Sequence, residues 1–107
     1  MNGLYKTNKE SINVNDIDKL LGNIELIDIR EENEYNEGSI KTAKNIPMRE
    51  LLMNPEDYMD MDKQYYLLCR SGSRSAMACM QLREEGYDVV NVSGGIMGYT
   101  GSNMINK

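Results

Sequence analysis

Apolar positions along this chain of 107 residues come in short runs broken by polar segments, and the spacing within the runs changes along the chain. Residues 24–29 (Ile-Glu-Leu-Ile-Asp-Ile) are largely apolar and short, the pattern of a strand covered on both faces. Residues 65–69 (Tyr-Tyr-Leu-Leu-Cys) form a second apolar run, which stops abruptly at Arg70, and Val89, Val90 and Val92 open a third. Between these two, residues 75–85 carry Ala76, Met77, Ala78, Cys79, Met80 and Leu82. So broad an apolar surface predicts a helix packed inside the domain, closed by Gly86 as a left-handed cap. Ile17, Leu20 and Leu21 predict a helix over 15–21, with Asn15 as its N-cap and Gly22 as its stop. Residues 31–38 predict a short exposed helix ended by Gly38, with its acids simply solvated. Asn45, Ile46 and Pro47 predict a brief strand, 48–53 a helical turn, and 55–63 an acidic irregular stretch. Strands alternating with helices predict an α/β fold with a mostly parallel sheet. Without repeats, low-complexity runs or a linker, residues 1–107 read as one domain.

Composition narrows the chemistry. Seventeen acids against twelve bases give a net charge of −5, which disfavours nucleic acid as a partner. No apolar stretch is long enough to span a membrane and no export signal opens the chain, so the expectation is a cytoplasmic protein with both cysteines reduced. Histidine is absent, which removes Ser-His and Cys-His dyads, His-bearing metal sites and imidazole acid–base chemistry. Two cysteines and scattered carboxylates offer no metal-ligand set, and the nine methionines read as core filling. The expectation is therefore no metal and no cofactor. Chemistry near neutral pH has to come from a thiolate, a carboxylate or the backbone.

One loop offers it. Cys69, Arg70, Ser71, Gly72, Ser73 and Arg74 connect a buried strand to the start of a helix. Ligands of parallel sheets sit beyond the carboxyl ends of the strands, where Cys69 lies. The first-turn amides of a helix have no partners inside it, and its dipole favours negative charge. A tight loop, with Gly72 supplying an unusual backbone conformation, can curl such amides into a cradle. A cysteine at its base is a stabilised thiolate, and such settings bring the pKa from about 8.5 to roughly 3.5–7.5. Arg70 and Arg74 add positive charge, and Ser75 adds a hydroxyl donor. The same cradle suits a small anion and, within an acidic chain, discourages long polyanions. Cys79, five residues or more into the helix, is expected ~7 Å or further from the cradle, as core and not as a disulfide partner.

These residues belong to a longer series. Asp28 and Arg30 within residues 27–31 are followed by Glu34 and Tyr35, then Gly38, Ser39 and Ile40. Ala43 and the Asn45, Ile46, Pro47 step come next, then Cys69 to Ser75, Leu82, Gly86, Tyr87, Gly94 and Gly95. In this order the series resembles the rhodanese family of sulfurtransferases over most of the chain. Ser39 stands where the family usually has histidine, and Tyr99 where it often has tryptophan. The resemblance implies a rhodanese-like three-layer fold, its central sheet flanked by helices on both faces. It implies that the Cys69 thiolate takes the sulfane sulfur of thiosulfate or a persulfide and passes it to a thiol, cyanide or protein acceptor. Arg70 and Arg74 would orient the anionic donor, with Ser71, Gly72, Ser73 and Ser75 completing the loop. Asp28 and Arg30 would support the site from below. A protein-partnered sulfur relay or sensing module is the alternative. A cysteine phosphatase or arsenate reductase fits less well, because related phosphatase loops place five residues between cysteine and arginine where this chain has four. An inactive scaffold would ordinarily have lost the cysteine.

Overall fold

A computed structural model describes residues 6–106. Five strands form a parallel sheet in the order β1-β6-β5-β2-β4: β1 Ser11–Asn13, β2 Glu25–Asp28, β4 Lys44–Asn45, β5 Gln64–Leu68 and β6 Asp88–Ser93. The short strands β3 (Ser39–Ile40) and β7 (Met104–Ile105) pair antiparallel beside it. The helices are α1 Glu32–Glu37, α2 Met48–Met53, α3 Ser73–Glu84 and α4 Gly95–Gly98. The α/β architecture with a central parallel sheet is the expected one.

Strand alternation divides the core into two layers, one on each face of the sheet. Ile27, Tyr65, Leu67, Cys69 and Val89 pack on one face with Leu51 of α2 and with Ala78, Cys79 and Leu82 of α3. Leu26, Tyr66, Leu68, Val90 and Val92 pack on the other with Val14, Ile17 and Ile40. Every residue of β5 is buried, which is why it reads as a continuous apolar run with no polar alternation. Removing one fully buried leucine from this strand, such as Leu67, would cost ~2–5 kcal/mol.

Three expectations are corrected. Residues 15–21 do not form one helix; they make two 3-10 turns, Val14–Asp16 and Asp18–Leu20. Asn13 is the cap, its side chain accepting from the Asn15 amide at 2.9 Å. The Asn15 side chain reaches across the fold, donating to the Gly98 carbonyl and accepting from the Thr100 amide. Second, α3 buries only the stripe of Ser75, Ala78, Cys79 and Leu82, at i, i+3, i+4 and i+7, so it lies on the surface of the domain. Third, the methionines are mostly not core filling. Met77 and Met80 on α3 are 67% and 66% exposed, Met53, Met61 and Met97 are also exposed, and Met59 alone belongs to the buried core among the described residues.

Candidate active site

Parallel register fixes what gathers at one end of the sheet. Asp28 pairs with Leu68 and with Asn45, and Leu67 pairs with Asn91, so Asp28, Cys69 and Asn91 emerge together at the carboxyl ends of the three central strands. Chain direction at this point turns into α3 through Arg70, Ser71 and Gly72. Gly72 caps α3 with φ at +98°, a left-handed conformation that a side chain resists.

That turn folds donors around one sulfur. Cys69 is fully buried, and its Sγ accepts from the Gly72 amide at 3.1 Å and the Ser75 amide at 3.4 Å. Ser75 Oγ lies 3.3 Å from the same sulfur. Burial alone would push the Cys69 thiol up. The Ser75 hydroxyl and the amides of Ser75, Gly72 and Ser71 outweigh it, and the thiol is held below the ordinary cysteine range. Cys79 shows burial without the donors: it is equally buried, and its thiol is pushed up to about 12. The two cysteines are free, as expected.

The loop is held from outside by the short helix α4. Ile96 N–H donates to the Cys69 carbonyl at 2.9 Å and Met97 N–H to the Arg70 carbonyl at 2.8 Å. Gly95 makes this approach possible, since a Cβ there would meet both carbonyl oxygens at 2.5 Å. The double glycine of the sequence therefore braces the cysteine loop.

A family model, described as Rhodanese-like domain, matches residues 13–102. The chain belongs to the rhodanese-like domain family. A putative sulfurtransferase of Bacillus subtilis is 45% identical over 76 residues, covering 71% of this chain and 73% of that protein. A sulfurtransferase of Allochromatium vinosum is 36% identical over 75 residues, covering 69% of each. Among solved structures, a rhodanese-like domain protein of Staphylococcus aureus superposes with a TM-score of 0.80 at 29% identity, covering 92% of this chain and 98% of that one.

The remaining predicted residues divide within this rhodanese-like domain. Asp28 and Arg30 form a buried pair beside the loop. The Asp28 carboxylate accepts from Arg30 Nη2 at 2.8 Å, from Arg30 Nε and backbone amide, and from the Ser39 hydroxyl at 2.6 Å. Arg30 Nη2 also donates to the Gly38 carbonyl. Ser39, in the usual histidine position, thus satisfies the buried carboxylate, and the cluster ties the end of β2 to the end of α1 and to β3. Tyr99, in the tryptophan position, packs against the second core layer and donates to Asp18. Arg70, Ser71 and Ser73 are exposed, and Ser71 and Ser73 are linked through their hydroxyls. Arg74 does not face the loop unencumbered. Its guanidinium meets both carboxylate oxygens of Glu34 at 3.2 and 3.3 Å, so the acids of residues 31–38 are not all simply solvated.

Two residues take roles at the site that the sequence reading does not assign: Glu34, which it places in the series without a role, and Asn91. Glu34 lies forty residues from Arg74, and nothing local in the sequence marks the pair. Asn91 on β6 accepts from the Ser75 hydroxyl through its side-chain oxygen. Ser75 has one hydroxyl proton, while Cys69 Sγ, the Gly72 carbonyl and Asn91 all lie within reach of it. No group of three or more acidic or cysteine side chains among the described residues is placed to hold a metal ion. No helix among them is long and apolar enough to cross a membrane.

Proposed function

We propose that this rhodanese-like domain is a sulfurtransferase that carries sulfane sulfur as a persulfide on Cys69. The single observation behind the proposal is the convergence of the Gly72 and Ser75 amides and the Ser75 hydroxyl on Cys69 Sγ. A thiolate so held is a nucleophile that needs no neighbouring base, in a chain that has no histidine to serve as one. With thiosulfate, the Cys69 thiolate attacks the outer sulfur and the S–S bond breaks. Sulfite leaves with the bonding pair, and the outer sulfur stays on Cys69 as a persulfide anion. A second nucleophile, a thiol, cyanide or a protein thiolate, then attacks that sulfur and restores the thiolate. The fixed amides, which require no reorganisation as charge moves between the two sulfurs, stabilise both states. Arg70 and Arg74 orient the anionic donor, Ser71 and Ser73 line the approach, and the Asp28–Arg30 pair keeps the neighbouring strand end in place.

Intact mass after incubation with thiosulfate tests the reading. The wild-type protein is expected to gain one sulfur atom, to lose it to cyanide, and to gain none as Cys69→Ser. Uptake of sulfur by Cys69→Ser, or hydrolysis of a phenyl phosphate by wild type without any sulfur gain, contradicts it. Running a protein persulfide beside thiosulfate separates a free enzyme from a sulfur relay: loading fast only from the protein donor favours the relay.

A further inference from the structure

Glu34 occupies two roles with one carboxylate. On α1 it closes a capping box, its Oε1 accepting from the Glu31 amide at 3.0 Å while the Glu31 side chain accepts from the third helical amide. Across the fold it holds both terminal nitrogens of Arg74. Capping requires only an acceptor, which glutamine supplies equally well. Beyond a weak contribution to the helix dipole, the carboxylate charge acts on Arg74.

Arg74 is one of the two cations of the cysteine loop, and it lies near enough to feel the charge of Cys69. With Glu34 against it, the field it presents to a donor is largely cancelled. Arg70 is then the one cation of the loop with no ion-pair partner among the described residues. Glu31 at the cap of this short helix and Glu32 and Glu37 within it add further negative charge. The pair is also only half-covered, with Arg74 40% and Glu34 27% exposed, so it is a weak latch that water and ions reach. A dianion entering the loop meets one free arginine, and it draws on the second only by displacing a carboxylate.

Resting on the sulfurtransferase reading, we propose that Glu34 is a specificity-determining residue that disfavours dianionic donors and biases Cys69 toward alkyl persulfides. The transfer then runs as follows. The Cys69 thiolate attacks the outer sulfur of R–S–SH, the bond between the two donor sulfurs breaks, and R–S⁻ departs with the pair. The product is Cys69–S–SH, and no oxidant or reductant is consumed. A donor of this class brings at most one negative charge to the reacting end, which Arg70 and the loop amides accommodate without Arg74.

Single-turnover loading of Cys69, followed by intact mass, tests this with thiosulfate and with the persulfide of a cysteine blocked at both ends. Glu34→Gln keeps the capping acceptor and releases Arg74. It is expected to raise the ratio of thiosulfate to persulfide loading rates threefold or more at low ionic strength. Adding Arg74→Met to Glu34→Gln should return that ratio to the wild-type value, a reversal that altered helix stability would not produce. An unmoved ratio, or a gain that persists without Arg74, overturns the proposal. If Glu34→Gln fails to fold, Arg74→Met alone decides: it leaves the Glu34 carboxylate uncompensated beside the loop and should lower the ratio of thiosulfate to persulfide loading twofold or more, whereas an unchanged or raised ratio overturns the proposal. Absence of sulfur uptake from both donors would instead defeat the sulfurtransferase reading itself.

Discussion

Cys69 and Cys79 sit ten residues apart, share one hydrophobic layer and are equally inaccessible, yet their thiols move in opposite directions. Around Cys79 burial penalises the charged form, no hydrogen bond reaches the sulfur among the described residues, and the Arg83 charge offsets little of that penalty, which leaves an inert side chain. Around Cys69 the same penalty is present and is outweighed by two backbone amides and a hydroxyl aimed at the sulfur. Burial therefore does not decide whether a cysteine is chemistry or core; the donors converging on it do. The difference is one of chain path. Cys79 lies within a helix whose amides are spent on its own carbonyls, whereas Cys69 precedes a helix whose first amides are unspent.

The contrast breaks most severely at the brace. Gly95→Ala places a Cβ against two backbone carbonyls and asks a side chain to adopt φ of +58°, so the loop has to move. Destabilisation of about 2 kcal/mol or more is expected in urea titration, together with loss of the depressed Cys69 ionisation. Cys79 provides the next effect. Its thiol stays protonated in the folded state to about 12, whereas a free thiol ionises at about 8.5. Folded pKa raised above the unfolded value means stability that is intact below about pH 8.5 and lost as pH rises beyond it. That loss amounts to about 1.4 kcal/mol per pH unit between those values. Denaturation of wild type and Cys79→Ala from pH 8 to 11 checks this: the variant's stability should fall less steeply. The smallest expected effect is at Ser75. Ser75→Ala removes one donor from Cys69 and should slow its alkylation at pH 7 by about tenfold, the worth of one hydrogen bond to a charged acceptor. An unchanged rate would mean that the Asn91 side chain, and not the sulfur, holds the hydroxyl proton throughout.

What the sequence disclosed follows from how local each feature is. The cysteine loop was legible because donors, glycine and nucleophile are contiguous from Cys69 to Ser75. Strands β2, β5 and β6 announced themselves through apolar runs buried on both faces. Strands β1, β3 and β7 carried no such mark: each is two or three residues long, with serine or asparagine or exposed apolar residues, and is defined by its partner strand alone. α4 was hidden by its own glycines, which read as a turn and serve as a point of contact. Methionines misled the reading of α3, since an apolar residue on a helix marks burial only when it falls on the buried stripe. Glu34 and Asn91 reach the site through non-local contacts, to Arg74 and Ser75, that no spacing rule anticipates.

The central claim, a sulfur anion maintained by fixed donors without a base, is tested most directly by the pH dependence of iodoacetamide modification of Cys69 in Cys79→Ala protein, where a single thiol remains. Its ionisation midpoint is predicted to lie below that of free cysteine, about 8.5. A midpoint at or above that value would contradict the account.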